Sequence, residues 1–146
     1  MTEKTLLLVE DNPQDEMLTL RALKRANLAN TVDVARDGQQ ALDYLFRQGD
    51  YVNRAGPDLP AVVLLDIGLP RLSGLEVLQH LRADPRTRLL PVVILTSSDE
   101  ERDRFRSYEN GANSFVRKPV DFAEFGETVA RLGVYWLATN QPLSAG

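Results

Sequence analysis

Two patterns of apolar residues alternate along this chain. Continuous runs stand at residues 5–9 (TLLLV), 61–65 (AVVLL) and 92–95 (VVIL), and a β-branched alternating run stands at 31–35 (TVDVA). Between them lie longer stretches whose apolar positions recur every three or four residues, the spacing of one helix face. Runs apolar at every position predict strands buried on both faces. The first helix opens with Asn12 as cap, Pro13 at its first position and Asp15 at its third. Met17, Leu20, Leu23 and Leu28 keep its rhythm to about Ala26 or Asn27. A second helix starts at Asp37 and Gly38, with Ala41, Leu42, Leu45 and Phe46 on one face. Gly49, Gly56, Pro57 and Pro60 make 49–60 a loop. Ser73 or Gly74 opens a third helix through Leu75, Leu78 and Leu81, stopped near Asp84 and Pro85. Ser98 or Asp99 caps a charged helix whose stripe is Phe105 and Tyr108, ending at Gly111. A short strand follows at 114–116, Asp121 caps a last helix to about Ala138, and 141–146 is a frayed tail.

Strand then helix, five times over, predicts an α/β fold: a parallel sheet covered by helices, with right-handed crossovers. No internal repeat interrupts it, so residues 1–146 read as one domain with a core of about 4–138 and a tail at 139–146. The length of 146 residues suffices for one substantial core. The chain has no cysteine, which excludes disulfides and thiolate metal sites and suits a cytoplasmic setting. No apolar run approaches the roughly 20 residues of a membrane span, and the N-terminus is not a secretory signal. Net charge is -4, with no basic stripe for nucleic acid. Arg102, Arg104 and Arg106 alternate with Glu100, Glu101 and Asp103, the pattern of a solvated helix.

In such a sheet the functional crevice lies beyond the carboxyl ends of the strands. Glu10 and Asp11 stand there after the first strand, Asp66 after the third, Thr96 and Ser97 after the fourth, and Lys118 and Pro119 after the fifth. A lone acid after a strand is ordinarily a helix cap, and a lone Lys-Pro a turn; four complementary strand ends together are not. With neighbouring strands about 4.8 Å apart, Glu10, Asp11 and Asp66 crowd one another if the first and third strands pair. That repulsion requires a compensating cation. Oxygen ligands alone favour Mg²⁺. Zinc does not fit, because the one histidine, His80, lies mid-helix on a polar face. An aspartate can attack phosphorus to give an acyl phosphate. Mg²⁺, the Lys118 ammonium and the Thr96 hydroxyl would then stabilise charge on the phosphoryl oxygens.

LLLVEDN, LLDIGLP with Gly74 four residues past Pro70, ILTSS and FVRKP together resemble the receiver domains of two-component response regulators, over nearly the whole chain. The resemblance implies a flavodoxin-like (βα)5 fold with sheet order 2-1-3-4-5, an order for which a member of that family is a standing example. It implies that Asp66 accepts a phosphoryl group from a histidine kinase's phosphohistidine. Glu10, Asp11, Asp66 and the Gly68 carbonyl would hold Mg²⁺. Lys118 would pair with the phosphoryl group, Thr96 would swing toward it, and Phe115 would turn inward as the aromatic switch. The peptide before Pro119 is often cis in the family. VEDNPQDE, ALKRANL, the long second loop with Tyr51, and VYWLATN look like the stand-alone regulators paired with bacterial and cyanobacterial phytochromes. Gly68 and Ser98 are small where the family often has larger groups, and an open approach of water favours faster loss of the phosphoryl group.

No output module follows the last helix in this sequence, so phosphorylation is expected to act through a surface. Phe122, Phe125, Val129 and Leu132 form its core-facing stripe. Val134, Tyr135, Trp136 and Leu137 follow consecutively and cannot all face one core. Phe122, Tyr135 and Trp136 are therefore the candidate partner surface, with a homodimer as the reading. Three rivals stand beside the signalling assignment. An aspartyl-phosphate hydrolase usually carries a second acid two residues after the nucleophile, where this chain has Gly68. A flavodoxin-like cofactor site needs a phosphate loop after the first strand, where Glu10 and Asp11 would repel a phosphate. A phosphate-independent interaction module would not need the full set of Glu10, Asp11, Asp66, Thr96 and Lys118.

Overall fold

The structure is a computed structural model and describes residues 4–27, 32–55, 59–98 and 100–141. Strands β1 (Leu6–Val9), β2 (Val32–Ala35), β3 (Val62–Leu65), β4 (Val92–Thr96) and β5 (Ser114–Arg117) alternate with helices α1 (Pro13–Arg25), α2 (Gly38–Phe46), α3 (Gly74–Ala83), α4 (Glu101–Glu109) and α5 (Phe122–Val134). All strand pairs are parallel, in the order β2-β1-β3-β4-β5. This is the order that the resemblance implies. A 3-10 turn (Gly49–Tyr51) lies inside the long loop, and a π-helical turn (Tyr135–Thr139) prolongs α5. Leu28, Thr31, Gly56, Pro57, Asp99 and residues 142–146, to which the sequence reading assigns roles, lie outside the described residues.

The strands' apolar residues divide by alternation. Leu7, Val9, Val63, Leu65, Val92 and Ile94 join Ala41, Leu45, Val77 and Leu81 on the α2 and α3 side. Leu6, Leu8, Val62, Leu64, Val93 and Leu95 join Leu23, Phe125 and Val129 on the α1 and α5 side. The helices start where their caps predict. Asn12 Oδ1 accepts from the Gln14 and Asp15 amides, Asp37 from Gln40, and Asp121 from Glu124. Ser73 and Glu76 form a reciprocal capping box.

Four expectations need correction. Met17 is half exposed, and Thr19 and Ala22 join Leu23 as the buried residues of α1. The N-cap of α4 is Glu100, without a side-chain cap bond; Ser98 lies upstream and accepts from the Glu100 amide. Phe105 and Tyr108 are exposed, because α4 turns Ser107 and half-buried Asp103 and Asn110 inward instead. Phe122 is 65% exposed. It stands at the first helical position, where a side chain tilted toward the N-terminus projects past the end of the core.

Candidate functional site

The ladder places the acids side by side. Val9 pairs with Leu65 across β1 and β3, and one step further Glu10 stands beside Asp66. The Asp66 amide still donates to Val9 O (3.2 Å), and the Glu10 amide to Ala35 O (3.0 Å). Carboxylate oxygens of Glu10, Asp11 and Asp66 all lie within 4.8 Å of one another. Two glycines clamp the loop that carries Asp66. A Cβ on Gly74 would stand 2.0 Å from the Asp66 carbonyl oxygen, and one on Gly38 would stand 2.0 Å from that of Leu72. The first residues of α3 and α2 thus pack directly on backbone at both ends of the loop.

Lys118 reaches the same point from β5. Its amide donates to Thr96 O at 2.7 Å. Its ammonium donates to Glu10 Oε1 (2.5 Å), Asp15 Oδ2 (2.9 Å) and Asp66 Oδ2 (3.0 Å). Three acceptors use all three donors of a lysine, which offsets the cost of burying the charge. Burial alone would lower the Lys118 pKa, but the hydrogen bonds to Glu10 and Asp15 and the charges of Asp66 and Glu10 outweigh it and push it up. Burial pushes the Glu10 carboxyl up from 4.5 to about 7, against the pull of Lys118.

Thr96 is buried, and its Oγ1 accepts from the Ser98 amide at 3.3 Å. Ser98 Oγ donates to Asp103 Oδ2 at 2.6 Å. These residues line an open depression beside Asp66 with Ile67, Gly68 and Ser97. Gly68 is exposed and donates its amide to Asp66 Oδ1 at 3.1 Å. Phe115 is half-buried, with the Arg104 guanidinium 5.8 Å from its ring centre. The peptide between Lys118 and Pro119 is trans.

Glu10, Asp11, Asp66 and Lys118 are thus brought together, with Thr96 beside them. At the far end of α5 the expected surface changes. Tyr135 is exposed, whereas Trp136 is half-buried against the α1 and α5 side of the core. Trp136 continues the stripe of Phe125, Val129 and Leu132, so helical spacing explains why it turns inward. The residue that the sequence reading did not assign to the site is Asp15. It looks like a helix-start acid, and only its position on α1, the helix covering the face toward which Lys118 points, reveals its reach.

Three carboxylates (Glu10, Asp15 and Asp66) share the Lys118 ammonium, and Asp11 adds a fourth negative charge beside Glu10 and Asp66. The excess negative charge and the all-oxygen donor set fit a hard divalent cation.

The response regulator receiver domain profile matches residues 6–130. The bacteriophytochrome response regulator AtBRR is 51% identical, with TM-score 0.77 and all of both chains covered. The phosphorylated cyanobacterial phytochrome response regulator RcpA is 34% identical with TM-score 0.90, over 98% of this chain and 100% of its own. Rcp1 of Synechocystis is 35% identical over 93% of this chain and 90% of its own. Its Mn²⁺-bound structure superposes with TM-score 0.88 over 97% and 99% of the two chains. No helix among the described residues is long and apolar enough to cross a membrane. The chain belongs to the response regulator receiver family, signalling proteins rather than conventional enzymes, whose partner is a cognate histidine kinase.

Proposed function

We propose that Asp66 is the phosphoryl acceptor of this response regulator and that its donor is a histidine kinase's phosphohistidine, in a phytochrome light-signalling pair. One observation carries the acceptor reading: Asp66 Oδ2 lies 3.0 Å from the Lys118 ammonium, within the group that includes Glu10 and Asp11. An Asp66 carboxylate oxygen bonds to phosphorus while the phosphorus–nitrogen bond breaks, and the electron pair stays on the imidazole nitrogen. The Asp66 backbone holds the carboxylate at the rim, Gly68 N–H fixes its other oxygen, and Lys118 supplies positive charge to the transferred oxygens. Mg²⁺ held by Glu10, Asp11, Asp66 and the Gly68 carbonyl would supply further charge stabilisation at those oxygens.

Phosphorylation then biases a pre-existing conformational equilibrium. The Thr96 hydroxyl turns to a phosphoryl oxygen, and Phe115 follows inward. The response is read at a surface, which we assign to the exposed residues of α5 and to a second copy of this chain. The likeness to RcpA, Rcp1 and AtBRR supports the phytochrome pairing.

Incubation with acetyl phosphate and Mg²⁺, followed by intact mass, tests the acceptor. Wild type gains one phosphoryl group and Asp66→Asn gains none. A phosphorylated Asp66→Asn protein would refute the assignment.

A further inference from the structure

Lys118 divides its three donors among three carboxylates of different standing. Glu10 and Asp66 belong to the acidic group that fits a cation, whereas Asp15 lies outside it. Once the phosphoryl group is on Asp66 and positive charge is drawn to Glu10, both of those acceptors have new partners. Asp15 does not. Its side chain has no other hydrogen-bonded partner among the described residues, because Asn12 Oδ1 already caps α1 by accepting from the Gln14 and Asp15 amides at 2.9 and 3.2 Å. The backbone that carries it is rigid. Pro13 begins the helix, and the Thr19 hydroxyl donates to the Asp15 carbonyl at 2.7 Å. Asp15 is thus a fixed carboxylate, on an element separate from the acceptor loop, aimed at the ammonium that the transfer requires.

We propose that Asp15 is a positioning residue: it anchors the Lys118 ammonium beside Asp66 while the other two acceptors change partners. This rests on the reading of Asp66 as acceptor and adds to it. The structural alternative is that Asp15 is only a first-turn acid favouring the α1 helix dipole. A preorganised donor costs no reorganisation at the moment of transfer, so loss of the anchor slows transfer rather than abolishing it.

The test is a double-mutant cycle of Asp15→Asn with Lys118→Met, following phosphorylation by acetyl phosphate at saturating Mg²⁺. Asp15→Asn is expected to slow the reaction about tenfold in the wild-type background, the scale of coupling between contacting charges. It is expected to change nothing further in the Lys118→Met background. Adding Gln14→Asp to Asp15→Asn restores a first-turn charge; it should recover thermal stability but not the rate. The second readout needs no phosphorylation. In the metal-free protein the Lys118 ammonium signal, observed by ¹H–¹⁵N NMR, should be sharp in wild type and broadened by solvent exchange in Asp15→Asn. Equal slowing in both backgrounds, rate recovery by Gln14→Asp, or an unchanged ammonium signal would each overturn the proposal. A failure of the Asp66 reading would appear separately, as phosphate on Asp66→Asn, and the ammonium signal would still judge Asp15.

Discussion

Glu10 is the most buried charged group of the site, and its environment makes it a weak acid. It is 2% exposed. Burial raises its pKa from 4.5 to about 7 although Lys118 pulls the other way. Between those values Glu10 in the folded chain holds a proton that it has released in the unfolded chain, so its contribution to stability falls as pH rises through that window and is constant outside it. Glu10→Gln keeps an acceptor for Lys118 and removes the titration. In chelator, the urea midpoint of wild type minus that of Glu10→Gln should therefore decrease from about pH 4.5 to about pH 7. A difference that stays level or grows with pH would show that the ammonium, not burial, sets the charge state of Glu10.

Strands and helices place these residues by contacts that leave no slack. A methyl group on Gly74 would meet Asp66 O at 2.0 Å and Ile67 Cα at 2.8 Å, both backbone atoms that cannot rotate aside. Gly74→Ala should lower stability by about 3 kcal/mol and, with Asp66 as the proposed acceptor, slow acetyl phosphate transfer, since the start of α3 and the loop that carries Asp66 must separate. An unchanged urea midpoint would show that the loop yields freely. The element level also explains what could be read from the letters. Glu10, Asp66, Thr96 and Lys118 each follow or end an apolar run, so the strand pattern delivers them to one rim without knowledge of side-chain packing. Period two goes further: Glu10, Asp66 and Lys118 share the alternation of Leu8, Leu64 and Val116, which face α1 and α5. What the pattern does not specify is how each helix rolls on the sheet. That rotation aims Asp15 at Lys118 and turns Ser107 of α4 inward in place of Phe105 and Tyr108.

At the scale of the whole molecule, the question is where a change at the rim becomes visible to another protein. The outer face of α5 is polar along its middle, where Glu127 and Arg131 stand one turn apart with 3.8 Å between charged atoms. Beyond them Val134 and Tyr135 are 44% and 49% exposed. Trp136, itself packed on the core, braces the Tyr135 ring edge-on at 5.0 Å. An aromatic ring held rigid at low entropic cost is a suitable anchor for an interface. A two-fold axis across the Tyr135 end of this face would let the two tyrosines bury each other's apolar surroundings. The net charge of -4 per chain opposes association only weakly at physiological salt. Wild type should therefore sediment as a dimer. Tyr135→Glu should weaken association by about 2 kcal/mol or more, roughly thirtyfold in dissociation constant, without changing the acceptor chemistry at the opposite end of the sheet. Phe122→Glu, at that opposite end, should leave the sedimentation unchanged if the axis passes through the Tyr135 end of α5. The reverse result would move the interface to the rim, beside the exposed Val120; two variants that sediment like wild type would count against both ends of α5 as the interface.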